Sequence, residues 1–156
     1  MTQTKVIGES VKQTNRTFVK SYTEDYCKAL EENYKQYHVA SLRRNSEIFS
    51  EGRQDLSEYA KEQLREIEEG TAKLMKFRAI EGKKYYKVVS QEYRNGAYTD
   101  GSVNTFIDKN TGDVYKAASW KSPAKGVRFT FQKPEHIRFL LNWKNIAWTG
   151  GHLYIR

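Results

Sequence analysis

The spacing of apolar residues changes near residue 73. Before it, Phe18, Tyr22, Tyr26, Leu30 and Tyr34 recur every four residues, flanked by Val19, Ala29 and Tyr37. One broad apolar stripe at that spacing predicts an amphipathic helix from about Thr14, ending within Tyr34–Val39. Residues 1–13 are polar and unpatterned and read as a loose terminus. Residues 41–49 read as either a short helix or a connecting loop, and Gly52 breaks the pattern. A second helix is predicted over 55–70. Its stripe is Leu56, Tyr59, Ala60, Leu64 (or Gln63) and Ile67. Asp55 and Glu58 have the spacing of a capping box, and Gly70 suits the C-terminal cap. The charges on its other face, from Glu58 to Glu69, read as a solvated helix surface.

From residue 73 onward the period is two. "KLMKFRAI" alternates, with Leu74 out of phase, and "KYYKVVSQEYR" has the Tyr and Val content of a strand. Asn95-Gly96 and Asp100-Gly101 are two turn dipeptides close together. Strands are predicted over 103–108 and 114–120, joined by a turn around Gly112. Alternation along the second puts Val114, Lys116, Ala118 and Trp120 on one face, and Tyr115, Ala117 and Ser119 on the other. Pro134 opens a short helix over "EHIRFLLNW", and "HLYIR" reads as a last strand. The expected fold is α+β in a single domain over 1–156. Its helical part is 14–72, and its antiparallel sheet part, 73–156, holds a short C-terminal helix and strand.

Charge changes this picture more than length does. The net charge is +8. Residues 1–80 carry 14 Lys/Arg against 13 Asp/Glu, and residues 81–156 carry 13 against 6. The basic excess belongs to the sheet half, and such a field attracts polyanions. Aromatic residues make up 13% of the chain, which argues for a folded core rather than disorder. The single cysteine, Cys27, excludes an intrachain disulfide and fits a reducing compartment. No apolar run reaches the length of a signal peptide core or a membrane span.

Catalytic and metal chemistry find little support in the spacing. His38, His136 and His152 are far apart, and no phosphate-binding glycine loop or nucleophile elbow is present. The expectation is no catalytic set, no metal and no cofactor. The segment "WKSPAKGVRF" is different. Lys121, Lys125 and Arg128 surround Pro123 and Gly126, with Trp120 and Lys116 just upstream. Cations with freed backbone amides suit an anion, and a tryptophan can stack on a base. Lys116, Trp120, Lys121, Lys125 and Arg128 are therefore the candidate binding residues. Equally, such lysines can simply protect a sheet edge.

The stretches Asp108–Lys116, Ala118–Arg128 and Trp148–Tyr154 resemble small proteins of unassigned function from tailed bacteriophages. That group has a "DK-x-TG-[DE]-V-YK" hairpin, then "ASW-x-x-PAKG-[VI]-R", and an aromatic-Gly-Gly-x-Leu-Tyr ending. The resemblance covers the last third to half of the chain. It implies a phage origin and the cytoplasm of a bacterial host, and it transfers no catalytic residue. The functional expectation is a non-enzymatic accessory protein that binds nucleic acid or a nucleotide through the C-terminal sheet. The alternative is an inhibitor of a host enzyme or defence complex that acts through the helical half, with self-association also open.

Overall fold

The computed structural model describes the backbone of residues 2–45, 47–50 and 53–154, and the side chains of 15–44 and 55–154. Helix α1 spans Thr2–Asn45. It thus takes in residues 2–13 of the stretch read as a loose terminus and all of "SLRRN". Once a helix is nucleated, each added residue gains a hydrogen bond at little cost, and no proline interrupts this run. Leu42 is buried, and Arg43 and Arg44 in the last turn complement the helix dipole. Strands β1 (Glu47–Ser50) and β2 (Arg53–Leu56) form a separate antiparallel pair.

Helix α2 spans Glu58–Glu69. Its N-cap is Ser57, whose Oγ accepts from the Ala60 amide at 3.1 Å, so the cap falls two residues after the predicted Asp55. Asp55 instead takes the Leu56 amide and pairs with Lys61. Gly70 closes the helix in the left-handed region, as predicted. Arg65 bridges Glu62 and Glu69 on the solvated face. Tyr59 is 65% exposed and drops out of the stripe, leaving Ala60 and Ile67 buried.

The α+β architecture is completed by a five-stranded antiparallel meander. Its strands are β3 (Lys76–Glu81), β4 (Tyr85–Arg94), β5 (Ala97–Asp108), β6 (Asp113–Lys116) and β7 (Phe129–Thr130), in sequential order. Asn95 and Gly96 both have positive φ and make the β4–β5 turn. Asp100-Gly101 does not turn. It lies within the long strand β5, where the pairing slips between Val89 and Gln91. A Cβ on Gly101 would lie 2.9 Å from Ser90 Oγ, so the glycine admits a close cross-strand approach. A second slip, between Val88 and Val89, leaves Asn104 as an extra residue beside Thr105.

Helix α1 covers one sheet face. Val19, Tyr26, Cys27 and Leu30 pack against Phe77, Tyr86, Val88, Ile107 and Val114. Helix α3 (Pro134–Leu140) and the 3₁₀ turn Gly151–Leu153 join this core through Leu140 and Leu153. The last strand expected at "HLYIR" is thus replaced by that turn over its described residues. Its backbone serves the loop rather than the sheet: the Gly150 amide bonds Ala147 O, and the Leu153 amide bonds Gly150 O.

The β5–β6 turn forms as its composition predicts. Asp108 Oδ1 accepts from the Asn110 and Thr111 amides, and Gly112 has φ +76°. Gly112 is also a packing position, since a Cβ there would lie 3.0 Å from Phe131 Cβ and 3.3 Å from Val19 Cγ2. Gly112→Ala is expected to destabilise the fold by about 2–3 kcal/mol. Gly96→Ala has similar φ and open space, and should cost only about 1 kcal/mol. Equal urea midpoints for the two variants would refute the packing role.

Candidate nucleotide-binding face

The sheet face away from α1 carries a different kind of side chain. Register places Lys87 opposite Phe106, and Phe106 opposite Tyr115. With Tyr85 two residues before Lys87, the period of two collects all four on this outer face. Their rings meet edge to face: Tyr85 is 5.7 Å from Phe106 and 5.9 Å from Tyr115, at 83° and 82°. Such pairs contribute about 0.5–1.5 kcal/mol each beyond burial and fix the ring planes. Phe106 is only 2% exposed although it points away from the helix.

The 117–128 segment folds into a small hairpin of its own beside this patch. Ala117 bridges Pro123, and the Ala118 and Ser119 amides both bond Ser122 O. Ser119 Oγ takes the Lys121 and Ser122 amides, so residues 119–122 form a tight tip. Trp120 and Lys121 sit at that tip. Lys87 Nζ lies 4.7 Å from the Trp120 ring and 5.8 Å from Phe106, a cation–π contact to both. Between the tip and the β3–β4 turn lies a cleft of about 350 Å³, lined by Ile80, Gly82, Lys83, Lys84, Tyr85, Lys87, Phe106 and Lys121.

The turn that carries Lys83 and Lys84 is braced. The Gly82 amide bonds Tyr85 O, the Lys109 amide bonds Lys84 O, and Lys109 Nζ bonds both Gly82 O and Glu81. The hydroxyl of Tyr85 beside Lys84 holds that ammonium above the ordinary lysine range. Among the described residues, no carboxylate lies within 4 Å of the amines of Lys83, Lys84, Lys87 or Lys121.

The five residues singled out from the sequence are therefore divided. Lys121 lines the cleft, and Trp120 reaches it through Lys87. Lys116 lies on the helix side of the sheet, opposite Thr105, with its amine 4.7 Å from the Tyr154 ring. Alternation had put Lys116 and Trp120 on one face. The strand ends at Lys116, so alternation no longer governs Trp120. Lys125 is exposed and does not line the cleft. Arg128 is committed to backbone carbonyls: Nε donates to Leu153 O, and Nη1 to Lys125 O and Gly126 O. It staples the loop to the C-terminal segment, and the predicted cradle of Lys121, Lys125 and Arg128 does not form. Lys83, Lys84 and Lys87 complete the cleft and are not among those five. Their signal was the pair of adjacent lysines in a turn followed by Tyr85 and Lys87 on one strand face.

A second polar constellation lies inside the core. His152 Nδ1 accepts from the Ala147 amide at 3.1 Å, so its other nitrogen carries the proton in the neutral ring. Nε2–H then donates to Tyr26 Oη at 2.7 Å. Tyr26 donates to Thr105 Oγ1 at 2.9 Å, Thr105 to Asn104 Oδ1 at 2.5 Å, and Asn104 Nδ2 to Trp148 O at 2.8 Å. The bulge at Asn104 is what lets two successive residues of β5 join one network. Burial pushes the pKa of His152 down to about 4 and that of Tyr26 up. Helix α1 also holds the segment through Asn33, which donates to Trp143 O and Ile146 O and accepts from the Trp148 amide. These bonds tie the C-terminal segment to helix α1 and strand β5.

Cys27 is buried, and burial pushes its thiol up to about 12, so it is a core residue and a poor nucleophile. Among the described residues, no group of three or more His, Cys, Asp or Glu is placed to hold a metal ion, and no helix is long and apolar enough to cross a membrane. Tyr26 is fully buried, and Tyr34 stacks on His38 and meets Trp148 edge to face, so the middle of the helical stripe is core while Phe18 and Tyr37 at its ends are exposed.

Fold and site together define a small α+β protein in which a long helix backs an antiparallel meander whose outer face carries Tyr85, Lys87, Phe106 and Tyr115. The chain matches the family of unknown function DUF7717 over residues 5–155 and belongs to that family. No curated protein and no solved structure matches it.

Proposed function

We propose that this protein is a non-enzymatic binder of nucleic acid or a nucleotide, acting through the outer sheet face at the cleft between the Gly82–Lys84 turn and the Trp120–Lys121 tip. One observation carries the reading: four lysines without carboxylate partners converge on a cleft walled by aromatic rings. Ammonium groups supply charge for phosphate, and rings supply surface for a base. The resemblance to small phage proteins supports a phage origin and work in the cytoplasm of a bacterial host. The second reading, an inhibitor acting through the helical half, loses Tyr26 to the core and keeps Phe18, Tyr37 and Tyr59 as exposed rings for a partner.

The test is anisotropy of two labelled probes, a nucleoside triphosphate and a single-stranded oligonucleotide, with whichever binds the parent protein carried through the variants. Changing Lys83, Lys84, Lys87 and Lys121 together to Gln is expected to weaken binding at least about tenfold and to flatten its salt dependence. Changing Lys116 and Lys125 to Gln should leave affinity within about twofold. Equal losses in the two variants, with both folded by circular dichroism, would show that the cleft is not the site.

A further inference from the structure

Resting on that reading, we infer that the cleft takes one nucleotide at a time, a nucleoside di- or triphosphate, rather than a track of polymer. Three features of the site lead there.

The first is where free charge gathers. Three cations elsewhere on the sheet are already paired with carboxylates. Arg78 holds Asp100 through two bonds of 3.0 and 2.7 Å, Lys109 pairs with Glu81 at 3.3 Å, and Arg94 pairs with Glu92 at 2.6 Å. A polymer needs positive charge that follows its backbone from phosphate to phosphate. Among the described residues, four lysines without carboxylate partners meet at one cleft, supplied by the β3–β4 turn, strand β4 and the 119–122 tip, whereas Lys116 and Lys125, also without carboxylate partners, lie off it.

The second is the amount of charge. One terminal phosphate carries about −2, which offsets only half of the four ammonium groups. Two or three linked phosphates match them. Lysines act as point charges and tolerate the varied oxygen positions of such a chain.

The third is the wall. Inorganic polyphosphate has no use for aromatic rings. Tyr85 and Phe106 line the cleft, and Trp120, 44% exposed, stands beside it with Lys87 against its ring. At about 350 Å³ the cleft lies at the small end of ligand sites, the scale of a single nucleotide. The bracing of the Gly82 turn by Lys109 means that little ordering cost remains when the phosphates arrive.

Calorimetry on the full chain tests this with five probes: ATP, GTP, AMP, tripolyphosphate, and a single-stranded oligonucleotide of about 12 residues. Expected is one ATP or GTP per chain, with AMP weaker by about tenfold or more and tripolyphosphate weaker than ATP. Lys84→Gln and Lys121→Gln should each weaken ATP about fivefold to tenfold without changing the melting temperature. Trp120→Leu should weaken ATP but leave tripolyphosphate unchanged. Binding of the oligonucleotide without ATP or GTP would overturn the single-nucleotide inference and leave the nucleic-acid reading standing. Tripolyphosphate binding as tightly as ATP would overturn the part assigned to the base. Silence from all five probes would overturn both readings.

Discussion

Replacing Asn33 with leucine is expected to lower the unfolding free energy by about 3 kcal/mol. It should also open residues 143–154 before the rest of the fold. Leucine has nearly the shape of asparagine and removes only its polar atoms. The carbonyls of Trp143 and Ile146 and the amide of Trp148 all lose their partner, and Ile146 beside them is buried. Each lost bond contributes roughly 1 kcal/mol, and more where the orphaned group stays dry. Hydrogen exchange should show the Trp148 amide losing protection while Val88 and Ile107 in the sheet keep theirs. A urea midpoint within error of the parent would mean that the segment is held by packing of Leu140, Ile146 and Leu153 alone.

The second large effect is on acidification. His152 has its pKa pushed down to about 4 by burial, against an ordinary value of 6.5. Between those values the unfolded chain binds a proton that the folded chain refuses, so stability falls as pH falls. The contribution is complete above pH 6.5 and is lost progressively toward pH 4. It amounts to roughly 3 kcal/mol at about 1.4 kcal/mol per unit. Protonating Nδ1 would also forfeit the bond from the Ala147 amide, since two N–H groups would then face each other.

Other groups titrate nearby in pH. His38 is lowered by burial and acts in the same sense, whereas Glu31 is raised by burial and acts in the opposite one. The decisive measurement is therefore a comparison of urea midpoints at pH 7.5 and pH 4.5 for the parent, His152→Gln and His38→Gln. His152→Gln should be less stable than the parent at the higher pH and lose much less on acidification. An equal loss in parent and His152→Gln would place the acid sensitivity elsewhere.

Local chemistry was legible wherever it needs few neighbours. Asn95-Gly96 makes its turn because both residues tolerate positive φ. Asp108 and Gly112 build the β5–β6 turn from their own side chain and backbone. Asp100-Gly101 has the same composition and does not turn, because its strand finds Arg78 and Gln91 as partners for Asp100 and Ser90 as a close neighbour for Gly101. The local preference was real, and cross-strand pairing outweighed it.

The candidate site divides along the same line. By itself the sequence determined the α+β class, the basic excess of the second half, and the turn built by Asp108 and Gly112. These follow from period, composition and turn chemistry, which act over a few residues. Only the tertiary structure decided that Lys121 meets Lys83, Lys84 and Lys87 across a cleft, and that Lys116 falls on the helix side. It also decided that Arg128 is spent on the carbonyls of Leu153, Lys125 and Gly126. A charge is free or committed according to which backbone groups lie within 3 Å of it, and those groups are supplied by chain far away in sequence.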